Sequence, residues 1–241
     1  MTPPCDRTRG PDGNATARLT SLATMRANET RKRNVERTFE RCIEPHVRDE
    51  TVLDIGCVAH DSAKRHDETW LHDLVVRAAD DALGVDVLED ELAALADAGY
   101  DVTAGDAQDL ALGETFDVIV IGELIEHLVD FDGLLTSVDE HLADGGKLVV
   151  TTPNAMAVHW TALRLLDQAF VNTGHTCWFD ATTLRQLLER YGFEPVEITY
   201  VGDCRPTLED PLQIAGWLCE RILPDRVGKS TLAVVASRSG E

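Results

Sequence analysis

The chain has no C-x-x-C pair among its six cysteines, Cys5, Cys42, Cys57, Cys177, Cys204 and Cys219. Their scatter offers neither zinc-ligand spacing nor a disulfide framework, so no metal is expected and the thiols read as reduced. Lysine is scarce, at four of the 22 basic residues. Against 43 acidic residues this leaves a net charge of −21. Such a surface repels nucleic-acid backbones, which counts against a general DNA or RNA binder. No apolar run approaches the ~20 residues of a membrane span. No apolar core follows Asp6, Arg7 and Arg9 either, so a secretory leader is not expected and the chain reads as cytoplasmic. A G-x-G-x-x-G directly after the first strand is also missing, which counts against a nicotinamide-dependent dehydrogenase.

What is present points to a globular protein of one domain with elaborations, since 241 residues can bury a sizeable core. Excess acid with arginine preferred to lysine fits a high-salt cytoplasm, where screening weakens self-repulsion. The charge is uneven. Residues 1–50 hold ten Arg/Lys against eight Asp/Glu, with six basic and two acidic residues between Arg18 and Arg37. A solvated helix face accounts for this, and so does an arm that meets phosphate or a membrane surface.

Residues 1–17 have the Pro, Gly, Thr and Asp content of a disordered tail. Val35, Phe39, Cys42 and Ile43 fall at helical spacing, which predicts a helical arm over residues 18–50 that packs on the rest. From Thr51 strands and helices alternate. Predicted strands are Thr51–Ile55, Ala82–Val87, Asp101–Ala104, Phe116–Ile121, Lys147–Thr152, Glu194–Val201 and Ser230–Ser237. Predicted helices are Glu68–Ala79, Glu89–Ala98, Phe131–Leu142, Asn154–Phe170, Ala181–Tyr191 and Pro211–Leu223, the last apolar nearly all round and read first as buried, second as part of a surface facing a lipid-bearing ligand or a dimer partner. This alternation predicts an α/β fold: a doubly wound, mostly parallel, seven-stranded sheet with an N-terminal helical extension. Residues 51–241 form the main domain.

Acidic residues recur where the first three strands end, at Asp54, Asp86 and Asp106. In such sheets ligands bind at the carboxyl edge, and a carboxylate like that of Asp86 can accept both ribose hydroxyls of a nucleoside. Gly56 follows Asp54 at the first turn, where a residue without Cβ lets backbone approach a ligand.

With these residues the sequence resembles class I S-adenosylmethionine-dependent methyltransferases. Val52-Leu53-Asp54-Ile55-Gly56-Cys57 is similar to their motif I, Gly84-Val85-Asp86 to the ribose-binding acid, and Gly105-Asp106-Ala107 to the adenine-side acid. Phe116–Val120 with Glu123-Leu124-Ile125-Glu126-His127-Leu128, and Asp144–Asn154, are similar to the strand-four and strand-five blocks. The second glycine of motif I is missing, because Cys57 is followed by Val58-Ala59-His60-Asp61. The resemblance implies a Rossmann-like methyltransferase fold with S-adenosylmethionine as cofactor. Its cofactor half would be residues 51–154, with an acceptor-side elaboration over 155–225. Asp54, Gly56, Cys57, Asp86, Asp106, Ala107 and Glu123 would contact the cofactor.

The altered motif I, Trp70-Leu71-His72 and His175-Thr176-Cys177-Trp178-Phe179-Asp180 resemble a branch that serves cell-surface glycan pathways, including haloarchaeal hexuronic-acid methylation in N-glycosylation. That implies a small-molecule or lipid-linked glycan acceptor, with peripheral contact at the inner membrane face in the lipid-linked case. A quinone or another metabolite is the other acceptor class, and a cofactor-binding assembly protein without catalysis is the non-enzymatic reading. The oligomeric state is open. For a hydroxyl acceptor, His127 and His175 are the candidate general bases. A carboxylate acceptor is already anionic and needs none; the histidines would then orient the sugar, with Arg65 or Arg164 as its cation. Trp70 reads as core packing, and Trp178 as a residue able to meet the substrate.

Overall fold

The computed structural model describes residues 32, 34–58, 69–158, 160–161, 174–202 and 211–240. The predicted tail, most of the basic segment, Arg65, Arg164 and the loop from Ala59 to Glu68 lie outside these residues. Seven strands form one sheet in the order β3-β2-β1-β4-β5-β7-β6. They are β1 (Thr51–Ile55), β2 (Asp81–Asp86), β3 (Val102–Ala104), β4 (Phe116–Gly122), β5 (Leu142–Pro153), β6 (Phe193–Val201) and β7 (Thr231–Arg238). β1 to β5 run parallel. β7 inserts antiparallel between β5 and β6. The architecture is the predicted Rossmann-like methyltransferase fold, with an N-terminal helical segment.

Alternation along the central strands produces two cores. Leu53, Ile55, Ile119, Ile121, Leu148, Val150, Leu232 and Val234 point to one face. There they meet α4 (Phe131–His141) and α5 (Ala181–Arg190) through Leu134, Leu135, Val138, Leu184 and Leu188. Val52, Val118, Val120, Val149, Ala233 and Val235 point to the other. Because both faces are covered, these strands read as near-continuous apolar runs.

The second face is closed by α2 (Leu71–Ala78) and by the N-terminal segment, where a π-helical turn at Phe39–Ile43 leads into α1 (Glu44–Val47). Pro45 explains the wide turn: it cannot donate to the carbonyl four residues back and its ring crowds that carbonyl. Phe39, Cys42, Ile43 and Val47 are buried there. Full burial of side chains of this kind contributes about 1.5–3 kcal/mol each, so the segment belongs to the core. α3 (Glu89–Asp97) buries Leu92 and Leu95 beside β3.

Several boundaries differ from those expected. α4 stops at His141 and β5 begins at Leu142. The pairing jumps from Phe116–Leu142 to Val118–Lys147, so Ala143–Gly146 form a bulge inside the strand. Asn154 does not begin a helix: it forms an isolated bridge with Phe179, and of the expected helix the described residues 158, 160 and 161 are helical, while residue 159 and residues 162–170 lie outside the described residues. α6 (Pro211–Ile222) is not a buried helix, because Leu218 and Ile222 are 42% and 73% exposed. A short α7 (Asp225–Gly228) precedes β7. Among the described residues no helix is long and apolar enough to cross a membrane.

Asn154, fully buried, joins three segments. Its Nδ2 donates to the Arg226 and Lys229 carbonyls at 3.0 and 2.8 Å, and its N–H donates to Ser230 at 2.7 Å. Its Oδ1 accepts from Met156 N at 3.1 Å, while Ala155 N donates to the Phe179 carbonyl at 2.9 Å.

Candidate active site at the carboxyl edge of the sheet

One side of the edge is built by the turns after β1, β2 and β3. β1 runs into a turn at Gly56–Val58, where Gly56 has φ +89°. This left-handed conformation strains any residue with a Cβ. Gly56 N and Cys57 N both donate to the Val85 carbonyl, at 2.8 and 3.2 Å. The Cys57 carbonyl accepts from Trp70 Nε1 at 2.8 Å. Val58 N donates to Asp86 Oδ2 at 3.1 Å. The turn is thereby tied to β2 and to the residue before α2.

Inward packing replaces the missing second glycine. Cys57 and Val58 are buried, with Trp70 over them. A Cβ on Gly84 would lie 2.8 Å from Cys57 Sγ and 2.7 Å from His72 Cε1. The glycine of β2 therefore makes room for both side chains. Burial pushes the Cys57 thiol up, and the charges of Asp54 and Asp86 add to this, so the thiol stays protonated.

Asp54 corrects the expectation of three carboxylates in register along the edge. It lies within β1 and is 2% exposed. Its Oδ2 is hydrogen-bonded to His72 Nδ1 at 2.9 Å, beneath the turn. Trp70, His72 and Tyr100 pack around this pair with ring centroids 5.0–5.8 Å apart. Trp70 is thus the core residue it was read to be.

Asp86 does reach the edge. Its Oδ1 accepts from Val87 N and Leu88 N at 2.8 and 3.2 Å, besides the Val58 bond to Oδ2. Three amides fix the carboxylate while further lone pairs stay available. Asp106 is exposed and accepts from Gln108 N at 2.9 Å, while Ala107 beside it is buried. Val87, Val129 and Met156 are exposed apolar residues after β2, β4 and β5, at 62%, 74% and 55%.

The other side of the edge is built after β4 and β5. Glu123 has φ +50°, and its N–H donates to the Thr151 carbonyl at 2.9 Å. A left-handed residue with a side chain is uncommon; here it turns the chain from β4 into a 3-10 turn, Ile125–His127. Glu126 is buried, and its Oε2 accepts from Thr152 Oγ1 at 2.9 Å. Burial and then the nearby Glu123 charge push its carboxyl up to about 8.

Residues 174–180 cross this turn. Thr176 N donates to the Glu126 carbonyl at 2.8 Å, and Thr176 Oγ1 to the Leu128 carbonyl at 2.6 Å. Asp180 then caps α5 in a reciprocal capping box with Thr183. The clamp carries His175 onto His127, with ring centroids 4.6 Å apart and planes at 87°. Burial and then His127 lower the basicity of His175. Trp178 lies 6.0 Å from His175 and 5.7 Å from Trp160, ring to ring.

The two candidate histidines are thus brought together. Gly56, Cys57 and Asp86 meet at one turn, Asp106 and Ala107 occupy the loop after β3, and Glu123 stands at the end of β4. Sequence reasoning gives Glu126, Thr152, Asn154 and His72 no site role of their own; each enters only within a block that carries the resemblance. Glu126 stood next to His127 in the sequence, but nothing local marked it as buried.

Residues 27–198 match the family model described as "Methyltransferase domain". The chain also resembles solved structures. A SAM-dependent methyltransferase from Archaeoglobus fulgidus is 20% identical over 89% of this chain and 98% of that one, with a TM-score of 0.59. A chain from the complex of the Haloferax volcanii Trm112 methyltransferase activator with a methyltransferase is 15% identical, over 89% and 92%, with a TM-score of 0.61. Magnesium protoporphyrin IX methyltransferase from Synechocystis PCC 6803, solved with bound SAH, is 14% identical over 87% and 84%, with a TM-score of 0.56. At these identities the likeness is one of fold. No curated protein matches the chain by sequence.

Proposed function

The chain belongs to the methyltransferase domain family, and from that premise we propose that it methylates a small acceptor with S-adenosylmethionine as donor. When bound, this cofactor supplies an electrophilic methyl group on a sulfonium. The chain's own residues suit it. Asp86, held by three amides, is placed to take the two ribose hydroxyls. Asp106 and Ala107 serve the adenine side, where Val87 adds apolar surface. Gly56 keeps the turn open to close approach. Asp54 and Cys57, whose side chains are buried, act by shaping that turn, and Glu123 closes the pocket from β4.

The observation that carries the acceptor side is the contact of His127 with His175 at 4.6 Å, beside the end of β4. A hydroxyl acceptor must lose a proton as its oxygen is methylated, and an imidazole can take it. His175, kept neutral by burial and by His127, has the right form at neutral pH. Trp178 offers the flat surface against which a sugar ring packs. The finer reading is a sugar of a surface glycan, including a hexuronic acid of protein N-glycosylation. For its carboxylate the histidines orient rather than deprotonate. The exposed Leu218 and Ile222 of α6 suit peripheral contact with a lipid-linked form.

Two measurements test this. Calorimetry should show S-adenosylmethionine binding, and failure to bind removes the methyl-transfer reading. Deletion of the gene should lower the mass of a surface glycan by one methylene. Unchanged glycans would redirect the acceptor to quinones or other metabolites, and binding without turnover on any acceptor would leave an assembly role.

A further inference from the structure

Acid–base use of one histidine requires neither a second imidazole nor a buried carboxyl group, yet the acceptor wall holds all three. Glu126, His127 and His175 each present one ligand atom, and these atoms all lie within 4.8 Å of one another. Their positions are built by other contacts. Thr152 Oγ1 holds Glu126 Oε2, and Thr176 fastens the His175 segment to the Glu126 and Leu128 carbonyls. The two rings meet nearly at right angles. His175 Nδ1 is buried and has no hydrogen-bond partner among the described residues. Such an atom costs about 1–3 kcal/mol unless something satisfies it.

We propose that Glu126, His127 and His175 bind one divalent transition-metal ion. One carboxylate with two imidazoles suits Zn2+, Mn2+, Fe2+ or Co2+, whereas Mg2+ and Ca2+ take oxygen sets. Ligands of one such ion lie ~2.0–2.2 Å from it, so modest side-chain rotation closes the cluster. Three protein ligands leave positions open for the acceptor. Two adjacent oxygens, as in a vicinal diol or a hydroxy acid of a sugar, would chelate there. The ion's role rests on the methyl-transfer reading, but its binding does not. In the transfer the ion-held hydroxyl gives its proton to solvent water, and an oxygen electron pair forms the O–CH3 bond. The S–CH3 bond breaks with its pair left on sulfur, which becomes a neutral thioether. With the ion bound, His127 and His175 serve as ligands and water takes the proton; the imidazole base of the proposed function is the route of the ion-free site.

The full-length chain, stripped with chelator and dialysed, is titrated with Co2+ in high salt. The salt screens unspecific binding to the acidic surface. One Co2+ per chain is expected, with visible d–d bands, displaced by Zn2+ and not by Mg2+. Glu126→Gln and His175→Asn should each weaken it at least tenfold. Retained S-adenosylmethionine binding identifies His175→Asn as folded, since this residue sits on the wall and outside the cores. Absence of Co2+ binding by the wild type, or equal binding by wild type and both variants, overturns the site. Cobalt bound while S-adenosylmethionine is refused supports the site and removes the methyl-transfer reading instead.

Discussion

The two sides of the carboxyl edge are held by different means. After β1 and β2 the site is mostly main chain: amides of Gly56 and Cys57 on the Val85 carbonyl, and amides of Val58, Val87 and Leu88 on the Asp86 carboxylate. Packing beneath it, from Cys57, His72 and Trp70, fixes the turn. After β4 and β5 the site is mostly side chain. Thr152 reaches Glu126 from β5, and His175 meets His127 where Thr176 is bonded to Glu126, fifty residues away in sequence. A main-chain cradle tolerates many side chains and recurs across proteins with one shared ligand. A side-chain wall changes with each substitution, which suits the part of an enzyme that chooses an acceptor.

This contrast can be broken first at Asp86. Asp86→Ala removes the carboxylate proposed for the ribose, and loss of charge-assisted bonds to two hydroxyls of about 1.5–3 kcal/mol each should weaken S-adenosylmethionine binding at least a hundredfold by calorimetry. Retained affinity would remove Asp86 from the cofactor side. Asn154→Ala tests the other side. It strips the buried bonds to Arg226, Lys229 and Met156 and should cost about 2–4 kcal/mol in denaturant unfolding. Turnover should fall more than cofactor affinity, and equal losses would show that the two sides are not separable.

Gly84→Ala probes the packing under the cradle. A Cβ at 2.7 Å from His72 and 2.8 Å from Cys57 forces both to move, at a cost of about 1–3 kcal/mol. Cofactor affinity should fall with stability, and an unchanged melting temperature would mean that the turn yields freely. The smallest effect is expected far from both sides, at the opposite end of β1. Thr51 Oγ1 and N donate to Asp117 Oδ2 at 2.6 and 3.1 Å, and these bonds hold the carboxyl below its usual range. A depressed carboxyl stabilises above its ordinary value near pH 4 and loses that contribution as pH falls through the folded value. Thr51→Val should therefore cost about 1 kcal/mol at pH 7 and progressively less in acid. A loss independent of pH would assign the effect to packing.

The same division explains what could be read in the sequence. β-branched runs such as Val118–Ile121 announce buried parallel strands, and the acid that ends Gly84-Val85-Asp86 is a local signal of a local structure. Asp180 before Ala181 likewise foretells the cap that forms. The inward turn of Asp54 was not legible, because it depends on His72 arriving from α2. Nor was the bulge of β5, since Asp144-Gly145-Gly146 has the composition of an ordinary turn. Asn154 stands at the head of an apolar stretch that reads as a helix; its bridge to Phe179 and its bonds to Arg226 and Lys229 are tertiary. His127 and His175 are each candidates in the sequence, but their contact and the carboxyl of Glu126 beside them required the fold.

The position of Asn154 has a consequence for how the chain is made. Its partners at Arg226, Lys229 and Ser230 leave the ribosome long after the turns of β1 to β3. Among the described residues, the hydrogen bonds that tie the proposed nucleotide cradle at Gly56, Asp86 and Asp106 join residues between Gly56 and Asp109, so these contacts are short in sequence and quick to close. The Asn154 bonds beside the proposed acceptor wall form only when β7 pairs antiparallel between β5 and β6 and brings Arg226, Lys229 and Ser230 with it. The part of the chain made last thus braces the proposed acceptor side, while the proposed cofactor side draws its hydrogen bonds from a part made earlier.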